Sequence, residues 1–206
     1  MPIQPATPAA IAQAAHWLRD GRVVGVPTET VYGLAADAAN AGGVAAIYRI
    51  KGRPADHPLI VNVLDLDQAA WWADLDERAI ALGKAFWPGP LTLIVRRRAQ
   101  APAFACGGEP TIGLRVPSHP VARALMSAFS ALGGRGLAAP SANRFGKVSP
   151  TRAEHVHDDL GDDVGLILDG GDCPVGVEST IVDLSRPTAT LLRPGGIDAA
   201  DIERVL

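Results

Sequence analysis

Four stretches of this chain join hydroxyl, carboxylate or cationic side chains to glycine and proline at the ends of short apolar runs. In α/β sheets such strand ends are where ligands bind. The first, PTETVYGL from Pro27 to Leu34, follows the apolar run Val23–Val26. Thr28 or Thr30 can hydrogen-bond a small polar ligand, and Gly33 permits close backbone approach. The same threonines would equally serve as the cap of a helix start. The second, KGRPADHPLIVNV from Lys51 to Val63, sets a point charge two residues from a guanidinium fork, with Pro54 and Pro58 stiffening the loop. That pair can clamp a phosphate, although cations at a helix C-terminus also offset the helix dipole. The third, TIGLRVP, places Arg115 among alternating apolar residues. An Arg on the core side of a strand needs a partner, and a bound anion is one; on an edge strand it would face solvent. The fourth, APSANRFGKVSPT from Ala139 to Thr151, offers Ser141, Asn143 and Ser149 beside Arg144 and Lys147. Turn chemistry accounts for much of this composition as well. Glu178-Ser179-Thr180 and Arg193-Pro194-Gly195 repeat the pattern near the C-terminus.

Several chemistries are not written in the sequence. Neither G-x-x-x-x-G-K-[ST] nor G-x-G-x-x-G occurs, so the two familiar phosphate loops are missing. No G-x-S-x-G elbow occurs. His155 and His157 stand two apart on an expected helix and do not face one site. Cys106 and Cys173 have no neighbouring His and read as plain thiols.

The elements that must position these residues can be read from period and punctuation. Residues 8–20 predict an amphipathic helix closed by Gly21, and 42–50 a second, broken at Lys51-Gly52-Arg53-Pro54. One or two helices span 67–87 and stop at Pro88-Gly89-Pro90. Ser118 is expected to cap a helix over 120–132, and Thr151 with Glu154 to form a capping box for a helix to Leu160. A last helix covers 198–206. Strands are predicted at 23–26, 59–63, 91–96, 112–116, 164–168, 179–184 and 189–193. The fold class expected is α/β, a twisted mixed sheet with helices over both faces, in a single domain across residues 1–206.

Composition limits the rest. The chain has 206 residues, 48% hydrophobic, with 22 acidic against 19 basic residues and a net charge of −3. That length supports a substantial core. The charge weighs against a non-specific nucleic-acid binder, though not against a local basic cleft. Sixteen of the basic residues are Arg and three are Lys. Two Cys exclude a disulfide scaffold or a four-Cys zinc site. The absence of an apolar run of about 18 residues, and of a basic start followed by an apolar core, predicts a cytoplasmic protein with no membrane segment.

Taken in order, the stretches PTETVYGL, KGRPADHPLIV, WPGPLTLIV, TIGLRVPSHP, APSANRFGKVSPT, GVESTIVDL and LLRPG resemble the YrdC/TsaC family of threonylcarbamoyl-AMP synthases, over residues 23–196. The resemblance implies a YrdC-like twisted sheet with a concave basic cleft. It also implies condensation of L-threonine, bicarbonate or CO2, and ATP into threonylcarbamoyl-adenylate and pyrophosphate. Mg2+ would accompany ATP, held mainly by the phosphates. Downstream transfer proteins would then modify an adenosine beside the tRNA anticodon, with weak tRNA binding conceivable for this chain too. The family's signature falls on Lys51, Arg53, Ser141 and Asn143. Its nucleotide positions fall on Arg53, His57, Thr111, Ser141, Ser149 and Arg193. Its threonine positions fall on Thr30, Asn62, Arg115, Ala139 and Ser179, with Asn62 standing where relatives often carry His. The extra C-terminal domain of some relatives is expected to be lacking. Two alternatives stand beside this reading: a double-stranded RNA or tRNA-binding module using the same cleft, and a carbamoyl-adenylate-forming enzyme.

Overall fold

The computed structural model describes residues 2–206. In chain order the elements are β1 (Ile3–Pro5), α1 (Pro8–Arg19), β2 (Val24–Val26), β3 (Gly33–Asp37), α2 (Ala41–Lys51), β4 (Ile60–Asn62), α3 (Leu66–Trp72), β5 (Ala73–Asp74), α4 (Glu77–Phe86), β6 (Leu91–Arg97), β7 (Thr111–Arg115), α5 (Pro120–Ala131), β8 (Leu137–Ala138), α6 (Ala153–Leu160), β9 (Ile167–Asp169), β10 (Thr180–Asp183), β11 (Thr190–Arg193) and α7 (Ala199–Glu203). The strands form one mixed path in the order β1-β9-β2-β3-β8-β4-β7-β6-β10-β11, with β5 paired to β6. No helix among the described residues is long and apolar enough to cross a membrane.

Both faces of the sheet are covered, and the two-residue side-chain period of the strands divides the core. Along β3, Leu34 and Ala36 enter one cluster with Ile47 of α2, Trp72 of α3, Leu82 of α4 and Val156 of α6. Ala35 between them enters the other, with Leu18 of α1 and Leu125 and Phe129 of α5. The expected helix α1 starts where Thr7 accepts a hydrogen bond from the Ala10 amide at 3.2 Å, with Pro8 in its first turn. Helix α2 ends at Gly52, whose φ of 62° is left-handed, so the chain reverses and the Arg53 amide donates to the Tyr48 carbonyl. This glycine stop turns Arg53 away from the helix that carries Lys51.

Three local expectations are corrected. No helix follows Thr28 or Thr30: the segment folds back on itself and enters β3, which the sequence reading missed. The cap of α5 is His119, whose ring nitrogen accepts from the Val121 amide, not Ser118. The Ser118 amide is instead spent on Glu29. Helix α6 begins after an extended Arg152 with no side-chain cap, so the Thr151–Glu154 box does not form.

Candidate active site

Strand register brings the distant polar segments into one row. Asn62 of β4 pairs with Arg115 of β7, and Arg115 with Thr92 of β6. Thr92 pairs with Ile181 of β10, and Ile181 with Arg193 of β11. Neighbouring strands lie about 4.8 Å apart and directly opposed residues share a face. Arg193 reaches this row through an irregularity. Val182 opposes Leu191, so a regular ladder would set Leu192 against Ile181, but the register shifts and Arg193 takes that position. One extra residue in a strand exchanges which side chain faces the site. Gly195 then passes so close to Glu178, Ser179 and Thr180 that a Cβ there would sit 2.4 Å from the Glu178 carbonyl oxygen.

These residues open on a cleft of about 120 Å³ lined by Arg53, Asn62, Arg115, Ala139, Ser141, Ser179 and Arg193, together with Thr28, Gly33 and Glu178 among others. The segment after β8 is laid beside the start of β3 by backbone bonds, Leu34 amide to Pro140 carbonyl and Ala142 amide to Tyr32 carbonyl, which set Ser141 opposite Gly33. Arg193 donates through Nε to the Ser179 carbonyl and through Nη2 to the Ser179 hydroxyl, both at 2.9 Å, and lies 3.6 Å from the Glu178 carboxylate. The Ser179 hydroxyl also meets the Thr92 hydroxyl at 2.8 Å. Arg53 is held by the Pro58 carbonyl at 3.0 Å. Burial lowers the pKa of Arg53 and of Arg193, in the latter with the Arg115 charge adding and Glu178 opposing. Guanidinium groups so placed remain protonated and face the cleft half-buried, a setting that favours an anionic ligand.

Three expected site residues stand behind the lining. Lys51, 2% exposed, donates from Nζ to the carbonyls of Ser141 and Asn143 at 2.5 Å each. Burial pushes its ammonium down to about 8, the Arg53 charge adding to the fall. Asn143 is buried and donates to the Arg144 and Lys147 carbonyls, closing its own turn. Thr30 is fully buried and accepts from Arg115 at 2.9 Å. Two more flank the cleft: Ser149 donates to Glu178 at 2.6 Å, and the exposed His57 sets its ring edge-on to Phe145 at 5.3 Å. Thr111 stands at the edge of this group. It begins β7 outside the lining, on the face it shares with Arg115 about 13 Å along the strand, and the register of Ile60 with Gly113, continued two residues back, sets it level with Pro58 at the Arg53 end of the cleft.

Sequence reasoning gave the carboxylates in these stretches no role. Arg115 does face inward, but its partner within the protein is Glu29, 2.6 Å away with both side chains under a tenth exposed. Glu178 plays the same part for Arg193 and Ser149. The signal was present: a cation in an apolar strand requires a counter-charge, and PTETVYGL holds one carboxylate. Among the described residues no group of three or more His, Cys, Asp or Glu gathers in the manner of a metal cage.

The Sua5/YciO/YrdC family model, described as "Telomere recombination", matches residues 16–195. The threonylcarbamoyl-AMP synthase of Bacillus subtilis is 48% identical over 199 residues, covering 95% of this chain and 56% of that protein. That of Pyrococcus abyssi is 44% identical over 194 residues, covering 94% of this chain and 56% of that one. The chain therefore spans a little over half the length of these relatives. A crystal structure of P. abyssi Sua5 complexed with L-threonine superposes with a TM-score of 0.93 at 42% identity, over 99% of this chain and 59% of that chain.

Proposed function

This chain belongs to the Sua5/YciO/YrdC family, and from that premise and the cleft geometry we propose that it forms threonylcarbamoyl-adenylate from L-threonine, bicarbonate or CO2, and ATP. The observation that carries the proposal is the convergence of Arg53, Arg115 and Arg193 with Ser141 and Ser179 on one cleft. The amine of threonine takes up the carbon of bicarbonate, losing water, to give a carbamate. A carbamate oxygen then attacks the α-phosphorus of ATP, and pyrophosphate leaves with the electron pair of the broken P–O bond.

Every reactant here is an anion or becomes one, so the protein's work is to hold like charges together in attacking geometry. That work needs guanidinium groups more than a nucleophile. Arg53 and Arg193 are assigned to the phosphates, and Arg115 to the threonine carboxylate. Ser141, Ser149 and His57 are assigned to the nucleotide, and Asn62, Ala139 and Ser179 to the amino acid. Lys51 and Asn143 act one step back, by fixing the turn that carries Ser141. Thr30, beneath Arg115, acts through that guanidinium. Thr111 is assigned to the nucleotide at the Arg53 and Pro58 end of the cleft.

Mg2+ fits this lining as an ion carried in by ATP. Among the described residues the one carboxylate lining the cleft, Glu178, is already engaged by Ser149 and Arg193, and Mg2+ commonly keeps waters and phosphate oxygens as its ligands. When bound it supplies charge neutralisation of the leaving pyrophosphate. The adenylate would pass to downstream transfer proteins that act on tRNA, and the cytoplasm is the compartment proposed for both.

The test is to mix the protein with ATP, bicarbonate and L-threonine and assay pyrophosphate. Release that requires threonine supports the proposal. Release with carbamoyl phosphate in place of threonine and bicarbonate, or salt-sensitive RNA binding without release, would assign the cleft to one of the alternatives.

A further inference from the structure

We propose that Glu29 is a positioning residue: with Thr30 it fixes the Arg115 guanidinium so that the remaining N–H groups form a preset receptor for the carboxylate of the amino-acid substrate. This rests on the threonine-dependent reading above.

The hydrogen-bond directions are determined by donor arithmetic. The Thr28 hydroxyl spends its proton on the Val31 carbonyl at 2.6 Å. In the contact between the Thr28 and Thr30 hydroxyls at 2.9 Å, Thr30 must therefore be the donor. Thr30 has then no proton to give to Arg115, and Nη1 of Arg115 donates to it at 2.9 Å. The relay runs one way, from Arg115 through Thr30 and Thr28 to a backbone carbonyl. On the other side, Glu29 divides its oxygens: Oε1 accepts from Arg115 Nη2 at 2.6 Å, and Oε2 from the Ser118 amide at 3.0 Å. The guanidinium is thus gripped at both terminal nitrogens by groups that are themselves held.

Five N–H donors belong to an arginine, and these contacts use two. Three remain, and among them Nε is buried with no partner. Arg115 is 6% exposed and lines the cleft. A buried donor left unpaired is costly unless a ligand takes it. The unspent N–H groups of a cation that gives Glu29 one of its five donors suit a second carboxylate, bound through charge-assisted N–H···O bonds. Glu29 serves also while no substrate is present, because it keeps the buried guanidinium from standing without a counter-ion.

The test is L-threonine binding measured by calorimetry with a non-hydrolysable ATP analogue present, for wild type, Glu29→Gln, Glu29→Asp and Thr30→Val. Glutamine has one acceptor where glutamate has two, so it keeps the bond to Arg115 or to Ser118 but not both. We expect Glu29→Gln to weaken threonine binding by about tenfold or more with affinity for the nucleotide analogue kept. Glu29→Asp, which retains both acceptors, should fall between. L-threonine amide, which lacks the carboxylate, should bind wild type and Glu29→Gln with similar weakness. Glu29→Gln removes charge from beside a buried guanidinium and can impair folding, so Thr30→Val, which deletes only the relay acceptor, is measured beside it and should also lose threonine affinity selectively. Threonine affinity unchanged in the folded variants, or nucleotide and threonine affinities falling together, overturns the inference. A wild type that binds no threonine at all would instead sink the functional reading on which it rests.

Discussion

Replacing Lys51 by Met separates two roles open to a buried ammonium: anchoring a turn and neutralising phosphate. Two of its three N–H bonds go to the carbonyls of Ser141 and Asn143, and methionine fills nearly the same space while donating nothing. The two orphaned carbonyls cost about 1–3 kcal/mol each. Against this stands the cost of withholding the ammonium from water, which the fall from 10.5 to about 8 puts at about 3 kcal/mol at neutral pH. The two effects largely offset one another at pH 7, so pH is the more informative axis. Because the folded pKa lies below the unfolded one, between about 8 and 10.5 the unfolded chain keeps a proton that the folded chain has released. Stability therefore rises with pH in that window, and from pH 7 to pH 9 the Lys51 contribution grows by about 1.4 kcal/mol. Urea unfolding at the two pH values should show wild type gaining that amount over Lys51→Met; tyrosines and cysteines titrate in both proteins and cancel in the difference. A neutral amine still has two N–H bonds for its two carbonyls, so wild-type pyrophosphate release should persist as Lys51 deprotonates, whereas the variant is impaired throughout. Identical pH dependence of stability in the two proteins would refute the desolvation argument. A wild-type rate that collapses through pH 8, with the variant's profile flat, would make the charge itself a phosphate contact.

Removing the Arg53 guanidinium with Arg53→Ala should lower threonine-dependent pyrophosphate release by about a hundredfold or more, the cost of losing a preorganised charge donor; near-normal ATP–pyrophosphate exchange in that variant would remove Arg53 from the phosphates. Arg115→Ala should raise the threonine requirement while ATP affinity is kept, and titration calorimetry that finds unchanged threonine affinity would move the carboxylate elsewhere. In the core, Trp72 is fully buried and donates from its indole to the Arg135 carbonyl at 2.8 Å. Trp72→Ala should cost about 3–5 kcal/mol in denaturant unfolding, and a loss below about 1 kcal/mol would mean that this part of the core closes over the gap.

The fold was legible where a period or a stop signal acts within a few residues. Helices α1, α2 and α5 carry their own proline starts, glycine stops or apolar stripes, and β4, β6 and β7 are runs rich in valine, leucine and isoleucine. Strand β3 was missed because Gly33–Asp37 is buried at every position and rich in alanine. A strand buried on both faces shows no alternation, and this one is a strand because β2 and β8 bond it on either side. Ser118 has the right side chain for a cap, but the helix starts at Pro120, so the cap position falls to His119, whose ring accepts from the Val121 amide.

The site was legible in its cations and opaque in what holds them. Arg53, Arg115 and Arg193 stand out because guanidinium groups beside glycine and proline at strand ends invite an anion. Their geometry rests on contacts that no local pattern displays: Arg115 with Glu29 across 86 residues, and Lys51 with the carbonyls of Ser141 and Asn143 across 90 and 92. Arg193 depends on a single shift of register in β11. Yet physical chemistry demands some such partners in advance. Cations gathered in a partly buried cleft must be compensated before any ligand arrives, or the folded state bears their desolvation alone. A cleft able to bind anions therefore needs acceptors of its own, carboxylates or carbonyls, close enough to steady each guanidinium and few enough to leave donors unspent. Glu29 meets that condition for Arg115, Glu178 for Arg193 and the Pro58 carbonyl for Arg53, and a search of the sequence for anion-binding residues gives the two carboxylates no part because they carry the sign of the ligand.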